Sequence, residues 1–278
     1  MSDTATKSQT YTQGHSEAVL RSHASRTAED SAAFLLPHLK RDAYILDVGC
    51  GPGTITTSFL KHIPNGRIVG VDTSADVIGS AAKRLSSLPE SDLGSRCTFA
   101  IASAYDLPYP ESTFDVVYCH QMLLHLPEPV RALREMRRVC KPDGLVAARE
   151  GDFSASIVYP SLPTTQLWLD TAGAVFRSIG AEPDGGRRLV RWALEAGYAS
   201  EQVSFSSSNL GSGGPAAAQF WGHMWAERVA ADEWKEKAVK TGLVTHNQVE
   251  QIREDWLKWS EREDAVFLTP CGEVLLRK

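Results

Sequence analysis

Leu46-Asp47-Val48-Gly49-Cys50-Gly51-Pro52-Gly53 is the stretch that decides the fold. It closes a short apolar run that starts at Ala43, and it leads into residues 54–62, which read as a helix. In such a strand–turn–helix unit the glycines let the backbone bend sharply and approach a ligand, while the helix start offers free N–H groups to an anion. A phosphate-binding P-loop must end in Gly-Lys-Ser/Thr. Here Gly53 is followed by Thr54, Ile55 and Thr56, which excludes nucleoside triphosphate hydrolysis. A dinucleotide fingerprint, G-x-G-x-x-G/A, fails in both registers, because Thr54 or Thr56 takes the last position. What remains is G-x-G-x-G with an acid, Asp47, in the end of the strand.

Outward from this unit, strands are expected at residues 67–72, 97–101, 114–118 and 145–149, with helices at 75–88 and 127–140 between them. The alternation predicts an α/β fold: a Rossmann-like, doubly wound, mostly parallel seven-stranded sheet with helices on both faces. Asp72 ends the second strand, where a carboxylate can accept hydrogen bonds from both hydroxyls of a ribose. Residues 1–14 read as a polar arm and residues 15–39 as one or two amphipathic helices. Beyond residue 150, helices are expected at 163–180 and 187–197 and a strand at 201–205. The Ser/Gly-rich segment 206–215 reads as a mobile loop. Residues 215–262 read as a helical insertion, and 265–268 and 273–276 as a final extended segment broken at Pro270-Cys271-Gly272. The expected organisation is therefore an N-terminal arm with helices (1–39), a cofactor-binding core (40–150), and the rest of the same domain (151–278) carrying the insertion.

Composition narrows the function. The chain has 278 residues, 42% of them hydrophobic, which suits a globular core, and its net charge of -5 lacks the basic surplus of a nucleic-acid binder. The 5 cysteines are odd in number and form no C-x-x-C pair, so a reduced, cytoplasmic setting is expected and no disulfide framework. The polar first residues lack the apolar stretch of a secretory signal, so none is expected, and no apolar run is long enough to span a membrane.

Three further stretches carry a resemblance. They are Ala102-Ser103-Ala104-Tyr105-Asp106-Leu107-Pro108-Tyr109-Pro110, the segment Tyr118-Cys119-His120-Gln121-Met122-Leu123-Leu124-His125-Leu126, and the run from Leu133 to Lys141-Pro142-Asp143-Gly144. With the glycine motif, they resemble the ubiquinone/menaquinone-biosynthesis-like (type 11) group of class I S-adenosylmethionine-dependent methyltransferases, over about residues 40–150. The resemblance implies a cofactor, S-adenosyl-L-methionine, with S-adenosyl-L-homocysteine as product. It places the methionine end of the cofactor on the turn formed by Asp47, Gly49, Cys50, Gly51 and Gly53, with His120 flanking it. It places the ribose on Asp72 with Thr73 beside it, and the adenine against Ser103 and Ala104. Many relatives have an acid where Ser103 stands, so here the adenine amino group would meet an uncharged acceptor.

The acceptor is less legible. The resemblance implies methyl transfer to a small molecule, in quinone-like methylation or specialised metabolism; a non-methylating S-adenosylmethionine-binding protein and an NAD-dependent oxidoreductase are the alternatives. His125 is the candidate general base, against a packed or loop-capping histidine. His120 and His125 share neither a helix face nor a strand face and lack a third ligand, so no metal is expected. Of the 7 tryptophans, Trp221, Trp225, Trp234, Trp256 and Trp259 follow residue 215. An insertion there would roof the site, with Trp221 and Trp225 on one helix face and Tyr11 and His15 closing the other side. The same stripe also suits core packing or a homodimer contact.

Overall fold

The structure is a computed structural model that describes residues 26–88 and 93–278. Strands β1 (Tyr44–Val48), β2 (Arg67–Asp72), β3 (Cys97–Ile101), β4 (Phe114–His120) and β5 (Cys140–Gly151) are parallel, in spatial order β3-β2-β1-β4-β5. The sheet continues through β8 (Val266–Arg277), antiparallel to β5, with β7 (Val203–Gly213) pairing along the other flank of β8. Side chains alternate across the sheet with period 2. Ile45 packs on one face with Phe59 and Tyr118, whereas Leu46 and Val48 pack on the other with Leu133 and Met136. One face is covered by α1 (Ala28–Ser31) and α2 (Thr54–Ser58). The other is covered by α5 (Pro129–Val139) and α7 (Leu189–Glu195); α3 (Ala75–Ser86) and α4 (Leu93–Arg96) lie between β2 and β3 in the chain. The expected Rossmann-like α/β architecture is present. Among the described residues, no helix is long and apolar enough to cross a membrane.

Four details depart from the sequence reading. The sheet has eight strands, because Ile157–Tyr159 (β6) pairs with the start of β8. The Ser/Gly-rich segment continues β7 to Gly213 instead of forming a loop. Its small residues are required by the close approach to β8. A Cβ on Gly211 would lie 2.0 Å from the Phe267 carbonyl oxygen, and the Ser206 and Ser208 hydroxyls donate to the buried Glu273 carboxylate. The final segment is one continuous strand through Pro270, held by β7 on one side and by β5 and then β6 on the other. Finally, the described part of the N-terminal segment holds only α1 and a 3-10 turn at Leu36–His38. Tyr118 Oη donates to the Ser31 carbonyl at 2.7 Å, taking the acceptor that another turn of α-helix would have used.

The segment between β7 and β8 folds as α8 (Pro215–Ala230), α9 (Asp232–Lys240) and α10 (His246–Ser260). Together with α6 (Thr165–Ser178) and β6, these helices enclose a second core of Trp168, Trp225, Trp256, Trp259, Phe153 and Phe267.

Candidate active site

The glycine turn leaves the end of β1 and is tied to β2: the Gly49 and Cys50 N–H groups both donate to the Val71 carbonyl, at 2.8 and 3.0 Å. Gly49, Gly51 and Gly53 all have positive φ, a region that side chains disfavour. Gly49 is also closely packed, because a Cβ there would lie 2.6 Å from Met122 Cγ. Gly51 differs: a Cβ there would meet nothing within 4 Å, so its backbone borders open space. Beside it stands Asp72, which accepts from Gly51 N at 3.2 Å through Oδ2 and from Ser74 N at 3.1 Å through Oδ1. A carboxylate has about four lone-pair sites, so these two bonds leave capacity for a ligand. Thr73, next in sequence, is exposed.

Beneath the turn, Asp47 is buried and accepts from the Thr56 hydroxyl at 2.6 Å. Burial pushes its carboxyl up to about 7; the Thr56 bond opposes that, and the Asp72 carboxylate adds to it. Asp47 thus ties the turn to the helix that follows. Cys50 is buried too, and its thiol is pushed upward by burial first and then by Asp47 and Asp72, which keeps it protonated.

The loop after β3 joins the same edge, since Ala102 N donates to the Asp72 carbonyl at 3.0 Å. Ser103 Oγ accepts from Tyr105 N at 3.2 Å, and Ala104 is buried against the sheet. His120 ends β4 and is buried next to the end of β1, where Val48 pairs with Cys119. Asp47, Gly49, Cys50, Gly51, Gly53, Asp72, Thr73, Ser103, Ala104 and His120 therefore gather along the carboxyl edge of β1–β4. Ligands bind at that edge in open α/β sheets.

Past His120 the chain turns through Gln121, whose φ is +48°. A non-glycine residue in this region carries about 1–3 kcal/mol of strain and persists only where its surroundings hold it. Here they do. Gln121 N donates to the Arg149 carbonyl at 2.8 Å, and the Glu150 carboxylate accepts from Met122 N and Leu123 N at 3.1 and 2.9 Å. Glu150 is fully buried, and the sequence reading missed it. The available signal was an acid that follows Arg149 at the end of the strand expected at 145–149.

Gln121 and His125 line a small, partly open cleft of about 60 Å³ that is also walled by Phe176, Trp221, Trp225 and Arg228. Trp221 Nε1 donates to Ser212 Oγ at 3.3 Å. Trp225 packs edge-on to Trp168, with ring centroids 4.8 Å apart, so it belongs to both the cleft wall and the second core. Trp256 and Trp259 lie wholly in that core. His125 stacks on Phe176, and burial, aided by Arg228 and Arg26, holds its imidazole down at about 3. Tyr11 and His15 lie outside the described residues.

A glycine turn over a buried acid, a second acid closing β2 and an adjoining cleft define a Rossmann-like α/β protein with a cofactor edge and a separate pocket. Comparison with known proteins agrees. A methyltransferase domain model matches residues 46–148. The chain is 32% identical to an uncharacterized methyltransferase of Schizosaccharomyces pombe, over 96% of each chain. It is also 32% identical to a probable methyltransferase, ltbC, of Aspergillus luteorubrus, over 96% of this chain and 97% of that one. The YcgJ protein of Bacillus subtilis shares the fold at a TM-score of 0.56 and 15% identity, covering 88% of this chain and 97% of that chain. The chain belongs to the class I S-adenosylmethionine-dependent methyltransferases. Its cofactor is S-adenosyl-L-methionine.

Proposed function

We propose that the protein moves the methyl group of S-adenosylmethionine to a small, flat, largely apolar acceptor held in the aromatic cleft. One observation carries this reading: the turn after β4 belongs to both places. Its Met122 packs on Gly49 of the glycine turn, while its Gln121 and His125 line the cleft. In this reading residues 40–150 hold the cofactor, and the helical insertion at residues 215–262 supplies the acceptor wall through Trp221 and Trp225.

The residues fit the cofactor. Gly51 leaves open space where any side chain would intrude, and Asp72 beside it has lone pairs for a diol. Ser103 Oγ already accepts from Tyr105 N, which supports an adenine held by the backbone of Ser103 and Ala104 more than by that hydroxyl. His120 flanks the methionine end. When bound, the cofactor supplies an electrophilic methyl on a sulfonium, and the acceptor's nucleophile takes it, loses its proton and leaves S-adenosylhomocysteine. The protein's work is then to align the partners and exclude water, which can lower a barrier by roughly 7–11 kcal/mol. The aromatic cleft walls Phe176, Trp221 and Trp225 suit an apolar acceptor, such as a quinol or an aromatic product of specialised metabolism. An imidazole held at about 3 is neutral near pH 7 and a weak proton acceptor. His125 therefore orients the acceptor, and the acceptor's proton leaves to solvent.

The test is incubation with methyl-labelled S-adenosylmethionine and a metabolite extract, followed by mass spectrometry. Label in a small-molecule product is expected. Cofactor binding with no labelled product from any extract would overturn methyl transfer.

A further inference from the structure

Four successive backbone N–H groups, Gln121 to Leu124, converge on the end of β5. Gln121 N donates to the Arg149 carbonyl at 2.8 Å, Met122 N and Leu123 N to Glu150 Oε1 at 3.1 and 2.9 Å, and Leu124 N to Glu150 Oε2 at 3.4 Å. The last two belong to the 3-10 turn Leu123–His125, so a buried carboxylate caps that turn. Glu150 is 0% exposed. A carboxyl group buried at such cost needs its hydrogen bonds satisfied, and here its partners are backbone N–H groups of a turn that starts at the left-handed Gln121.

Both sides of the reaction hang from this turn. Met122 fills the space above Gly49, so that side chain and the glycine turn share one packing surface. Gln121, Leu124 and His125 face the cleft. On the far side the turn is clamped again: Glu182 N donates to the Leu124 carbonyl at 2.8 Å, and a Cβ on Gly185 would lie 2.8 Å from Leu124 Cβ.

We propose that Glu150 is a positioning residue for methyl transfer, fixing residues 121–125 so that cofactor cradle and acceptor cleft keep one mutual geometry. The proposal rests on the function given above. Without the carboxylate, the Met122, Leu123 and Leu124 N–H groups lose their acceptor, only the Gln121 N–H bond to the Arg149 carbonyl still anchors the start of the turn, and Met122 and His125 lose their fixed placement.

The test compares Glu150→Ala, Glu150→Gln and Glu273→Gln. Glu273 is a control: a buried carboxylate that bonds Arg149, Ser206 and Ser208 but not the turn. Amide exchange at Met122, Leu123 and Leu124, S-adenosylhomocysteine affinity by calorimetry, and kcat and KM for the acceptor found by methyl labelling are read on each. Glu150→Ala should speed exchange at all three amides at least tenfold, weaken S-adenosylhomocysteine and lower kcat. Glu150→Gln keeps one oxygen, so it should speed Leu124 more than Leu123 and retain part of kcat. Glu273→Gln should lower thermal stability while leaving turn exchange and cofactor affinity unchanged. If Glu150→Ala does not fold, the near-isosteric Gln variant decides. Turn exchange and cofactor affinity within twofold of wild type in the folded Glu150 variant would overturn the proposal. Failure of the wild-type protein to bind S-adenosylhomocysteine would overturn instead the function on which it rests.

Discussion

Trp225→Ala tests whether one residue serves both core and cleft. Trp225 is 8% exposed and packs against Trp168 at 4.8 Å, Phe153 at 5.7 Å, Phe267 at 5.9 Å and Trp256 at 6.1 Å, with the Arg228 guanidinium 4.9 Å over its ring. Truncating a buried Trp to Ala costs about 3–5 kcal/mol, the spread depending on how far the site collapses. Five aromatic or cationic neighbours put this site in the upper half of that range, since none of them can follow the missing ring without leaving its own contacts. For a domain of this size each kcal/mol lowers Tm by roughly 2–4 °C, so a loss on the order of 10 °C is expected by calorimetry. The same variant should raise KM for the acceptor, while S-adenosylhomocysteine affinity, measured well below the new Tm, stays near wild type. Trp225→Phe separates the terms. The indole N–H has no hydrogen-bond partner among the described residues, so Phe forfeits ring area but no hydrogen bond, and it should cost less than half as much. A Tm change under about 2 °C for Trp225→Ala would refute the packing argument. Parallel loss of cofactor and acceptor binding in the folded variant would refute the separation of the two sites.

Asp72→Ala should weaken S-adenosylhomocysteine by about tenfold or more, because a hydrogen bond to a charged group contributes about 1.5–3 kcal/mol; unchanged affinity by calorimetry would remove Asp72 from the ribose site. Gly51→Val should abolish cofactor binding and leave the fold largely intact, since its Cβ enters open space, although φ of +53° adds strain; a folded variant that still binds refutes the cradle. Burial raises Glu150 from 4.5 and Asp47 from 3.8 to about 7. The folded chain then keeps protons that the unfolded chain releases between about pH 4 and 7. These two groups therefore make stability fall as pH rises through that window, by roughly 3 kcal/mol for Glu150 and roughly 4 kcal/mol for Asp47 at most. Glu29, Asp115 and Glu135, held low by their ion pairs and hydrogen bonds, act in the opposite sense below it, and His125, held down at about 3, acts in the opposite sense up to about pH 6.5 and offsets part of the fall. Urea midpoints at about pH 5 and about pH 8 check this, and a higher midpoint at the alkaline end would contradict it.

The cofactor edge was legible from sequence because it is built from local signals. A strand, a glycine turn and a helix lie in adjacent residues, and Asp72 closes the next strand, so each position follows from chain order. His125 shows where this stops. Its residue type suggests a base, but its basicity is set by burial and by Arg26 and Arg228, which come from distant parts of the chain. The Ser/Gly-rich segment misled in the same way: its composition reads as a loop, yet full pairing with β8 makes it a strand, and small residues are what that close pairing demands. Glu150 left only the mark of an acid at the end of a strand, because its partners are backbone N–H groups, which no side-chain pattern records. The sequence by itself determined the parallel sheet, the glycine turn and the acid of β2, all products of short-range periodicity and backbone conformation. Only the tertiary structure decided which tryptophans face the cleft, how the turn after β4 is held and how far each buried acid is shifted, because burial and electrostatics depend on what long-range packing brings together.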